Sequence, residues 1–238
     1  MAWHEHTHAH AHALAIALAD ALADAVREAL QARGHAWLAL AGGRTPLPAY
    51  VLLAAANLDW HRVTVVPTDE RCVPHAHPDC NARALEEAFA AAPGVAIEPL
   101  TVADGEARRS LAHTRARLAP RHDERFDAVV LGMGADAHTA SLFPNAPGLA
   151  AALDLDAIDD AVHVVPDPLP PEAPFDRISL TAPRLLRARR LLLAVTGAGK
   201  RQVLQRAQGP ADPIVMPVAA ILHAPGPHAP AVQIHWSP

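Results

Sequence analysis

The sequence predicts an α/β fold, a three-layer, doubly wound and largely parallel sheet with helices on both faces. Helix-like and strand-like segments alternate along the chain, and several strands are continuous apolar runs, typical of strands buried on both faces. Polar clusters directly follow several of these runs, where ligands bind in open α/β sheets. These observations favour a binding site at the carboxyl ends of the strands.

The first half of the chain begins this alternation. Residues 8–33 carry alanine and leucine at helical spacing and are followed by Gly34, a common helix stop. The apolar run 35–43 ends in two glycines, which predicts a strand and a turn. A proline near the start of 46–57 suits a first helical turn, and β-branched residues in 62–70 predict the next strand. Further helices are predicted at 79–91 and 104–118, and a further strand at 126–134.

The second half continues the pattern around one helix at about 199–208. Residues 163–176 contain too many prolines for a helix and predict a loop, either near the ligand mouth or joining two parts of one domain. The predicted strands of this half are 177–181, 189–197, 219–225 and 231–237.

Length and composition favour one domain over residues 1–238. The chain is 51% hydrophobic, enough for a substantial core, and its apolar runs are too interrupted to span a membrane. The first residues lack the basic segment of a secretory signal, and Cys72 and Cys80 are expected to be free thiols. We therefore expect a cytoplasmic monomer or weak homo-oligomer. A net charge of −5 argues against nucleic acid as a partner.

A histidine-rich segment lies near the amino end. Alternation on a strand, or i, i+4 spacing on a helix, would cluster its imidazoles for zinc or nickel. No cysteine or carboxylate ligand set accompanies them, and terminal histidine tracts often bind metals only adventitiously. We expect no functional metal site and no cofactor. The histidines are His4, His6, His8, His10 and His12.

Four polar motifs each follow a predicted strand. Because the carboxyl ends of parallel strands meet at one edge of a sheet, these four segments can converge on one site. No single motif decides the function, but their common placement indicates a ligand site. The motifs are GGRTP (42–46), TDERCVP (68–74), GADAHT (134–139) and GAGK (197–200).

The GGRTP motif suits a phosphate group. Gly42 and Gly43 let the backbone approach a ligand closely, and the amides of Gly43, Arg44 and Thr45 can point inward at a helix start. The alternative is a tight strand-to-helix turn in which Thr45 is a cap.

Charged side chains supply further candidates. Asp69, Glu70 and Arg71 lie just beyond a predicted strand, where a carboxylate and a guanidinium can orient a polar substrate. The alternative is a solvated turn, in which an isolated triplet of acidic and basic residues is common. Asn81, at the next helix start, can fix this loop. Lys200 at a helix start and Arg177 at a strand start suit a phosphate, with surface charge as the alternative for each.

The GADAHT motif contains the best candidate for a catalytic base, His138, with Asp136 two residues before it. It lies at a predicted helix N-terminus, which disfavours imidazolium and keeps the ring neutral near pH 7. A neutral histidine can take a proton from water or from a sugar hydroxyl or carbon. No GxSxG elbow surrounds a serine, which argues against a serine hydrolase. The alternative is an ordinary loop histidine.

Together these motifs resemble the 6-phosphogluconolactonases of the sugar-phosphate isomerase/deaminase-like superfamily. The resemblance covers nearly the whole chain in order: LALAGGRTP, TDERCVPHAHPDCN, VVLGMGADAHTASLFP, RISLTAPRLL and LLLAVTGAGK. One alternative is a glucosamine-6-phosphate deaminase, but that motif continues IAFNEP after the histidine and carries DEY where this chain has TASLFP and DER. Another is a non-enzymatic sugar-phosphate-binding domain, which follows a DNA-binding module in transcription regulators.

The resemblance implies hydrolysis of a sugar-phosphate lactone, 6-phospho-D-glucono-1,5-lactone, to 6-phospho-D-gluconate in the oxidative pentose phosphate pathway. It implies that His138 is the general base on water, that Asp136 orients or polarises the site, and that Arg71 or the amides of 132–138 stabilise the oxyanion. Asp69 would hold Arg71 or a ring hydroxyl. The residues implied to hold the phosphate are Gly42, Gly43, Arg44, Thr45, Arg177 and Lys200.

One position departs from the family's usual pattern. Ala137 stands between Asp136 and His138, where members usually have glycine. If this position needs a positive φ, alanine costs about 1 kcal/mol and can tilt the histidine. A right-handed conformation would tolerate alanine equally well.

Overall fold

The computed structural model describes residues 3–167, 173–224 and 230–238. The strands are β1 (Trp3–Thr7), β2 (Ala36–Leu40), β3 (Val63–Pro67), β4 (Asp69–Arg71), β5 (Ala96–Ile97), β6 (Ala128–Gly132), β7 (Ala161–Val164), β8 (Arg177–Leu180), β9 (Leu191–Thr196) and β10 (Val232–Ser237). The helices are α1 (Ala11–Arg33), α2 (Leu47–Ala54), α3 (Asn81–Ala88), α4 (Ala107–Leu118), α5 (Leu149–Leu153), α6 (Ala182–Leu186), α7 (Ala198–Gln208) and α8 (Val218–Leu222).

Seven strands form one sheet in the order β1-β10-β9-β6-β2-β3-β5, and each neighbouring pair is parallel. Successive side chains of a strand point to opposite faces, and in β2 they pack into two different apolar clusters. Trp37 and Ala39 join one cluster, whereas Leu38 and Leu40 join the other. Both faces of the sheet are therefore covered, which confirms the predicted three-layer α/β fold.

Helices from different parts of the chain supply the two outer layers. On one face α1, α2 and α3 contribute residues such as Leu22, Tyr50 and Leu85 to the core. On the other face α6, α7 and α8 contribute residues such as Leu185 and Leu204. The helix α1 ends as expected at a left-handed glycine, Gly34, with φ of 75°.

A second, antiparallel sheet in the order β4-β8-β7 was not predicted. Its strand β4 follows β3 after a single residue, Thr68, so it begins at the carboxyl edge of the large sheet. The predicted strand 177–181 belongs to this sheet as β8. Its register places Asp69 opposite Ser179 and Arg71 opposite Arg177.

Some elements differ from the sequence prediction. The segment 219–225 was predicted as a strand, but its described residues form α8 and its end, because a short apolar run does not distinguish a buried strand from a buried helix. The strands β1, β5 and β7 were not predicted, and β7 takes the first two residues of the predicted loop 163–176. Residues 168–172 of that loop, and Pro225 at the end of the segment 219–225, lie outside the described residues.

Two composition-based expectations can be compared with the structure. Cys72 and Cys80 are free thiols, which confirms that prediction. Within the described ranges, none of the helices has the length and apolar character needed to cross a membrane. The single domain over 1–238 stays a prediction.

Candidate active site

The four motifs meet in one cleft because the strands before them are neighbours in the order β9-β6-β2-β3. Their carboxyl ends lie side by side, as predicted. Most of the predicted site residues line this cleft, and Asn81 and Met133 lie among them. The predicted residues in the lining are Gly42, Gly43, Arg44, Thr45, Asp69, Arg71, His138 and Lys200.

The glycine turn after β2 forms one wall of the cleft. A β-carbon on Gly42 would overlap the side-chain amide of Asn81, so only glycine fits beside that side chain. Gly43 has φ of 94°, a conformation that favours glycine. The Thr45 hydroxyl is hydrogen-bonded to the Thr196 hydroxyl at 3.0 Å and does not cap α2, whose cap residue is Pro46. The capping alternative for Thr45 is therefore wrong.

Two cations lie close together beside this turn. Burial lowers the pKa of Lys200, the nearby Arg44 lowers it further, and Asp136 opposes the shift. Lys200 lies in the first turn of α7, where backbone amides lack helical partners. An anion bound between the two side chains would relieve their repulsion, so this end of the cleft suits a phosphate.

His138 and Asp136 form a directly bonded pair. The imidazole Nδ1 lies 2.6 Å from Asp136 Oδ1, and the main-chain amide of His138 donates to the same oxygen at 3.1 Å. Burial raises the pKa of Asp136, but its bonds to His138 outweigh this and lower the pKa below its usual value. An ionised Asp136 can only accept, so Nδ1 carries a proton and Nε2 is the basic nitrogen of the neutral ring.

The surroundings of His138 differ from the sequence prediction. Residues 135–142 form turns, and the next helix, α5, begins only at Leu149, so the predicted helix N-terminus at His138 is wrong. The bond to Asp136, not a helix dipole, determines which ring nitrogen carries the proton. The Phe143 ring packs against the imidazole with centroids 4.6 Å apart. Ala137 has φ of 69°, so the residue in the usual glycine position is in the left-handed region.

The close contact between His138 and Asp136 requires a glycine at position 134. A β-carbon on Gly134 would overlap both His138 Nδ1 and Asp136 Oδ1. Its amide donates to the carbonyl of His138 at 2.9 Å. The amides of Gly134, Ala137 and His138 are thus bonded within the turn, so these three do not act as the predicted oxyanion donors.

Asn81 organises the second wall of the cleft. Arg71 Nη1 donates to Asn81 Oδ1 and to the carbonyl of Asp79, each at 2.7 Å. Asn81 Nδ2 donates to the main-chain carbonyl of Asp69 at 2.7 Å. This confirms that Asn81 fixes the loop. The side chain that holds Arg71 is that of Asn81, however, and not the Asp69 carboxylate.

The Asp69 carboxylate is bonded to hydroxyls instead. It accepts from Ser141 at 2.6 Å and from Thr68 at 3.2 Å. Ser141 is a site residue that sequence reasoning missed, although it lies in the segment TASLFP that supports the resemblance. Only the fold shows that this serine reaches a residue 72 positions away.

Two predicted site residues do not line the cleft. Asp136 acts on it through its bond to His138 and through its charge, which raises the pKa of Lys200. Arg177 is 3% exposed, and its Nη2 donates to the carbonyl of Ala173 at 2.7 Å. The β4–β8 register places Arg177 beside Arg71 on the inner strand of the small sheet, and burial lowers its pKa. The structure therefore corrects the assignment of Arg177 to the phosphate site.

The amino-terminal histidines form a separate group. His6 and His8 stack on His235 of the neighbouring strand, with ring centroids 5.0 and 5.2 Å apart. Within residues 3–167, 173–224 and 230–238, no group of three or more His, Cys, Asp or Glu side chains is arranged to hold a metal ion.

Comparison with known proteins places this chain in a family. A 6-phosphogluconolactonase of Pseudomonas putida is 36% identical over 210 residues, which is 88% of this chain and 83% of that protein. One of Rhizobium meliloti (strain 1021) is 35% identical over 212 residues and 88% of each chain. A crystal structure of a 6-phosphogluconolactonase from Shewanella baltica has a TM-score of 0.88 and 32% identity, covering 99% of this chain and 98% of that chain. Residues 9–231 match the model of the family of glucosamine-6-phosphate isomerases/6-phosphogluconolactonase, and the chain belongs to this family.

Proposed function

We propose that this protein hydrolyses 6-phospho-D-glucono-1,5-lactone to 6-phospho-D-gluconate, with His138 as the general base on water. The observation that carries the proposal is one cleft that is lined by Arg44, Lys200 and His138, with Asp136 bonded to the imidazole of His138 from outside the lining. The named relatives that match most of the chain support the same activity.

The cationic end of the cleft binds the phosphate in this proposal. The backbone of Gly42 and Gly43 approaches the phosphate oxygens, and Arg44 and Lys200 neutralise their charge. The acidic chain thus binds an anionic substrate through local charge, not through its net charge. Binding at this end places the lactone ring towards His138.

The chemical step begins at His138 Nε2. This nitrogen takes a proton from a water molecule while the water oxygen attacks the lactone carbonyl carbon. Asp136 holds the ring through Nδ1 and stabilises the imidazolium that forms. The carbonyl oxygen becomes an oxyanion, which the Arg71 guanidinium stabilises.

Collapse of this intermediate opens the ring. The carbon–oxygen bond to the ring oxygen breaks, and the imidazolium returns its proton to that oxygen. The product is the open-chain acid, whose new carboxyl group loses its proton to solvent to give 6-phospho-D-gluconate, and His138 is neutral again. The step consumes one water and needs no covalent enzyme intermediate, cofactor or metal ion.

The setting of the reaction completes the proposal. We place it in the cytoplasm, in the oxidative pentose phosphate pathway, with a small-molecule substrate as the partner and nucleic acid excluded by the net charge. The protein acts as a monomer or a weak homo-oligomer.

The test measures loss of freshly generated lactone after subtraction of spontaneous hydrolysis. The wild type should accelerate hydrolysis, and His138→Ala should lower kcat by roughly 10²- to 10⁴-fold with little change in KM. An intact kcat in His138→Ala would exclude His138 as the base. No acceleration by the wild type would exclude the lactonase, and ammonia release from glucosamine-6-phosphate would then separate a deaminase from a non-enzymatic binding domain.

A further inference from the structure

Glu70 lies between Asp69 and Arg71, which both line the cleft, but its own side chain points away from the cleft. It is fully buried, and its carboxylate accepts main-chain amide bonds. Oε1 accepts from Arg71 at 2.8 Å and from Asn81 at 2.7 Å, and Oε2 accepts from Ala82 at 2.7 Å. Burial raises the pKa of Glu70, and these three amide bonds oppose the shift.

The carboxylate replaces a missing cap on α3. The cap residue of that helix is Cys80, whose side chain makes no capping bond. The first amides of a helix have no intrahelical partners, and a carboxylate at that end is favoured by the helix dipole. Glu70 supplies it from β4, and therefore ties the start of α3 to the strand that carries Arg71.

This tie fixes Asn81 at both its main chain and its side chain. Glu70 holds the Asn81 amide, and the Asn81 side chain accepts from Arg71 and donates to the Asp69 carbonyl. Asn81 is 3% exposed and fills the space beside Gly42, so it has little room to move. A shift of the α3 start would shift the oxygen that holds the Arg71 guanidinium.

We propose that Glu70 is a positioning residue, which acts through Asn81 to aim the Arg71 guanidinium at the oxyanion. The inference rests on the proposed function, because it assumes that Arg71 meets the reacting carbonyl oxygen. Glu70 itself does not touch the substrate. Its effect on the reaction passes through the Arg71 side chain, whereas a merely structural role would not depend on that side chain.

A double-mutant cycle tests this dependence. Glu70→Gln keeps the size and shape of the side chain, but it leaves one acceptor oxygen where the carboxylate has two for the amides of Arg71, Asn81 and Ala82. We expect kcat to fall about tenfold, with KM changed less than about twofold. Arg71→Ala should lower kcat about 10²-fold. The double variant should be within about twofold of Arg71→Ala, since interacting residues are not additive. Losses that multiply in the double variant would overturn the proposal.

A second cycle covers failure of Glu70→Gln to fold. Asn81→Ala keeps the main-chain amide that Glu70 caps but removes the side chain between that amide and Arg71. Its loss of kcat should likewise vanish in the Arg71→Ala background. If the losses of kcat in Asn81→Ala and Arg71→Ala multiply in the double variant, Asn81 does not act through Arg71 and the proposal is wrong.

The matched control is Asp127→Asn. Asp127 is also a buried carboxylate that accepts a main-chain amide, from Trp37 at 2.9 Å, but it precedes β6 and lies at the opposite edge of the sheet. This variant should lower stability and leave kcat per folded molecule unchanged. If Glu70→Gln behaves in the same way, Glu70 is structural and the proposal is wrong.

A readout without activity separates this inference from the proposed function. In nitrogen-labelled protein, the bonds from Arg71 Nη1 to Asn81 and Asp79 should hinder rotation of the guanidinium. Glu70→Gln should speed that rotation, and Asp127→Asn should not. An inactive wild type with this NMR difference would refute the lactonase but keep the positioning role. An active wild type without the difference would refute the positioning role alone.

Discussion

His138 and His235 have opposite surroundings. His138 is about one-third exposed and its Nδ1 is bonded to the ionised Asp136. His235 is 4% exposed, its Nδ1 is 3.1 Å from Nε2 of His8, and its own Nε2 has no hydrogen-bond partner among the described residues. Burial, and then the charges of His6 and His8, lower the pKa of His235 to about 4.

The difference shows what makes a histidine useful as a base in this fold. A carboxylate at Nδ1 fixes the tautomer and stabilises the imidazolium, so the opposite nitrogen can take and return a proton. Two neighbouring imidazoles and a dry environment do the reverse, because each added positive charge raises the cost of protonation. The carboxylate partner distinguishes His138 from His235, but His35, His77, His122 and His163 also contact a carboxylate. The proposed base is therefore indicated by the carboxylate partner together with its place in the cleft lining.

Among changes that leave the catalytic side chains themselves in place, Gly134→Ala should have the largest effect, because it separates His138 from Asp136. The added β-carbon would overlap both His138 Nδ1 and Asp136 Oδ1, so the two side chains must separate. Displacement of a catalytic group by about 1 Å costs on the order of 10²-fold in rate, and we expect a fall in kcat of that size. Lactone hydrolysis by the folded variant is the measurement.

Gly132→Ala is the matched control for that change. Gly132 lies on the same segment two positions earlier and also lines the cleft, but a β-carbon on it has no atom within 4 Å among the described residues. The added methyl group can therefore raise KM for the lactone, but it leaves the His138–Asp136 contact intact. Gly132→Ala should keep kcat within about threefold of the wild type. Equal losses in both variants would mean that the segment, not the His138–Asp136 contact, is sensitive.

The His235 environment predicts a loss of stability in acid. The unfolded chain binds a proton near pH 6.5, but the folded chain binds it only near pH 4, so the stabilising effect is present above pH 6.5 and is lost as the pH falls towards 4. A shift of this size corresponds to about 3 kcal/mol. The free energy of unfolding in urea, measured from pH 7.5 to 4.5, checks it.

His235→Phe isolates this contribution from that of the carboxylates. The variant keeps a large apolar ring under the stack but cannot take up a proton, so its stability should fall less steeply between pH 6.5 and 4. The difference between the pH dependences of the free energy of unfolding of the wild type and of His235→Phe measures the contribution of His235. Parallel curves for wild type and variant would show that His235 does not carry the acid sensitivity.

The sequence predicted the place of His138 better than its surroundings. Four motifs after four buried strands were enough to predict one cleft, because parallel strands end at the same edge. The turn at 135–142 was mistaken for a helix start, since a polar-to-apolar change suits both. Arg177 was placed in the phosphate site as a cation at a strand start and on the resemblance, whereas its strand belongs to the small sheet and its side chain is buried there.

The stack around His235 was beyond sequence reasoning for a different reason. It needs the pairing of β1 with β10, which joins the two ends of the chain and puts His6 opposite His235. Nothing local in either strand specifies this pairing. The same holds for the contact of Ser141 with Asp69, which depends on how the turn after β6 lies against β4.

Lys200→Ala should have a smaller effect and should act on binding instead of on the base. Loss of a charged hydrogen bond to phosphate costs about 1.5–3 kcal/mol, so KM for the 6-phosphorylated lactone should rise by roughly 10- to 100-fold with little change in kcat. The unphosphorylated glucono-1,5-lactone should be hydrolysed equally well by variant and wild type. Arg206→Ala, an exposed cation on the same helix, should leave both substrates unaffected.

Ala137→Gly should give the smallest effect, because three contributions to the free energy of unfolding nearly cancel. Relief of the left-handed conformation, with φ of 69°, favours glycine by about 1–2 kcal/mol. Greater freedom of the unfolded chain disfavours glycine by about 0.4–1 kcal/mol, and loss of a buried methyl group by about 0.8 kcal/mol. Stability should therefore change by less than about 1 kcal/mol. Since the Nδ1 bond to Asp136 is already formed with alanine present, kcat should also stay the same; an increase above about threefold would show that alanine tilts His138 away from its best position.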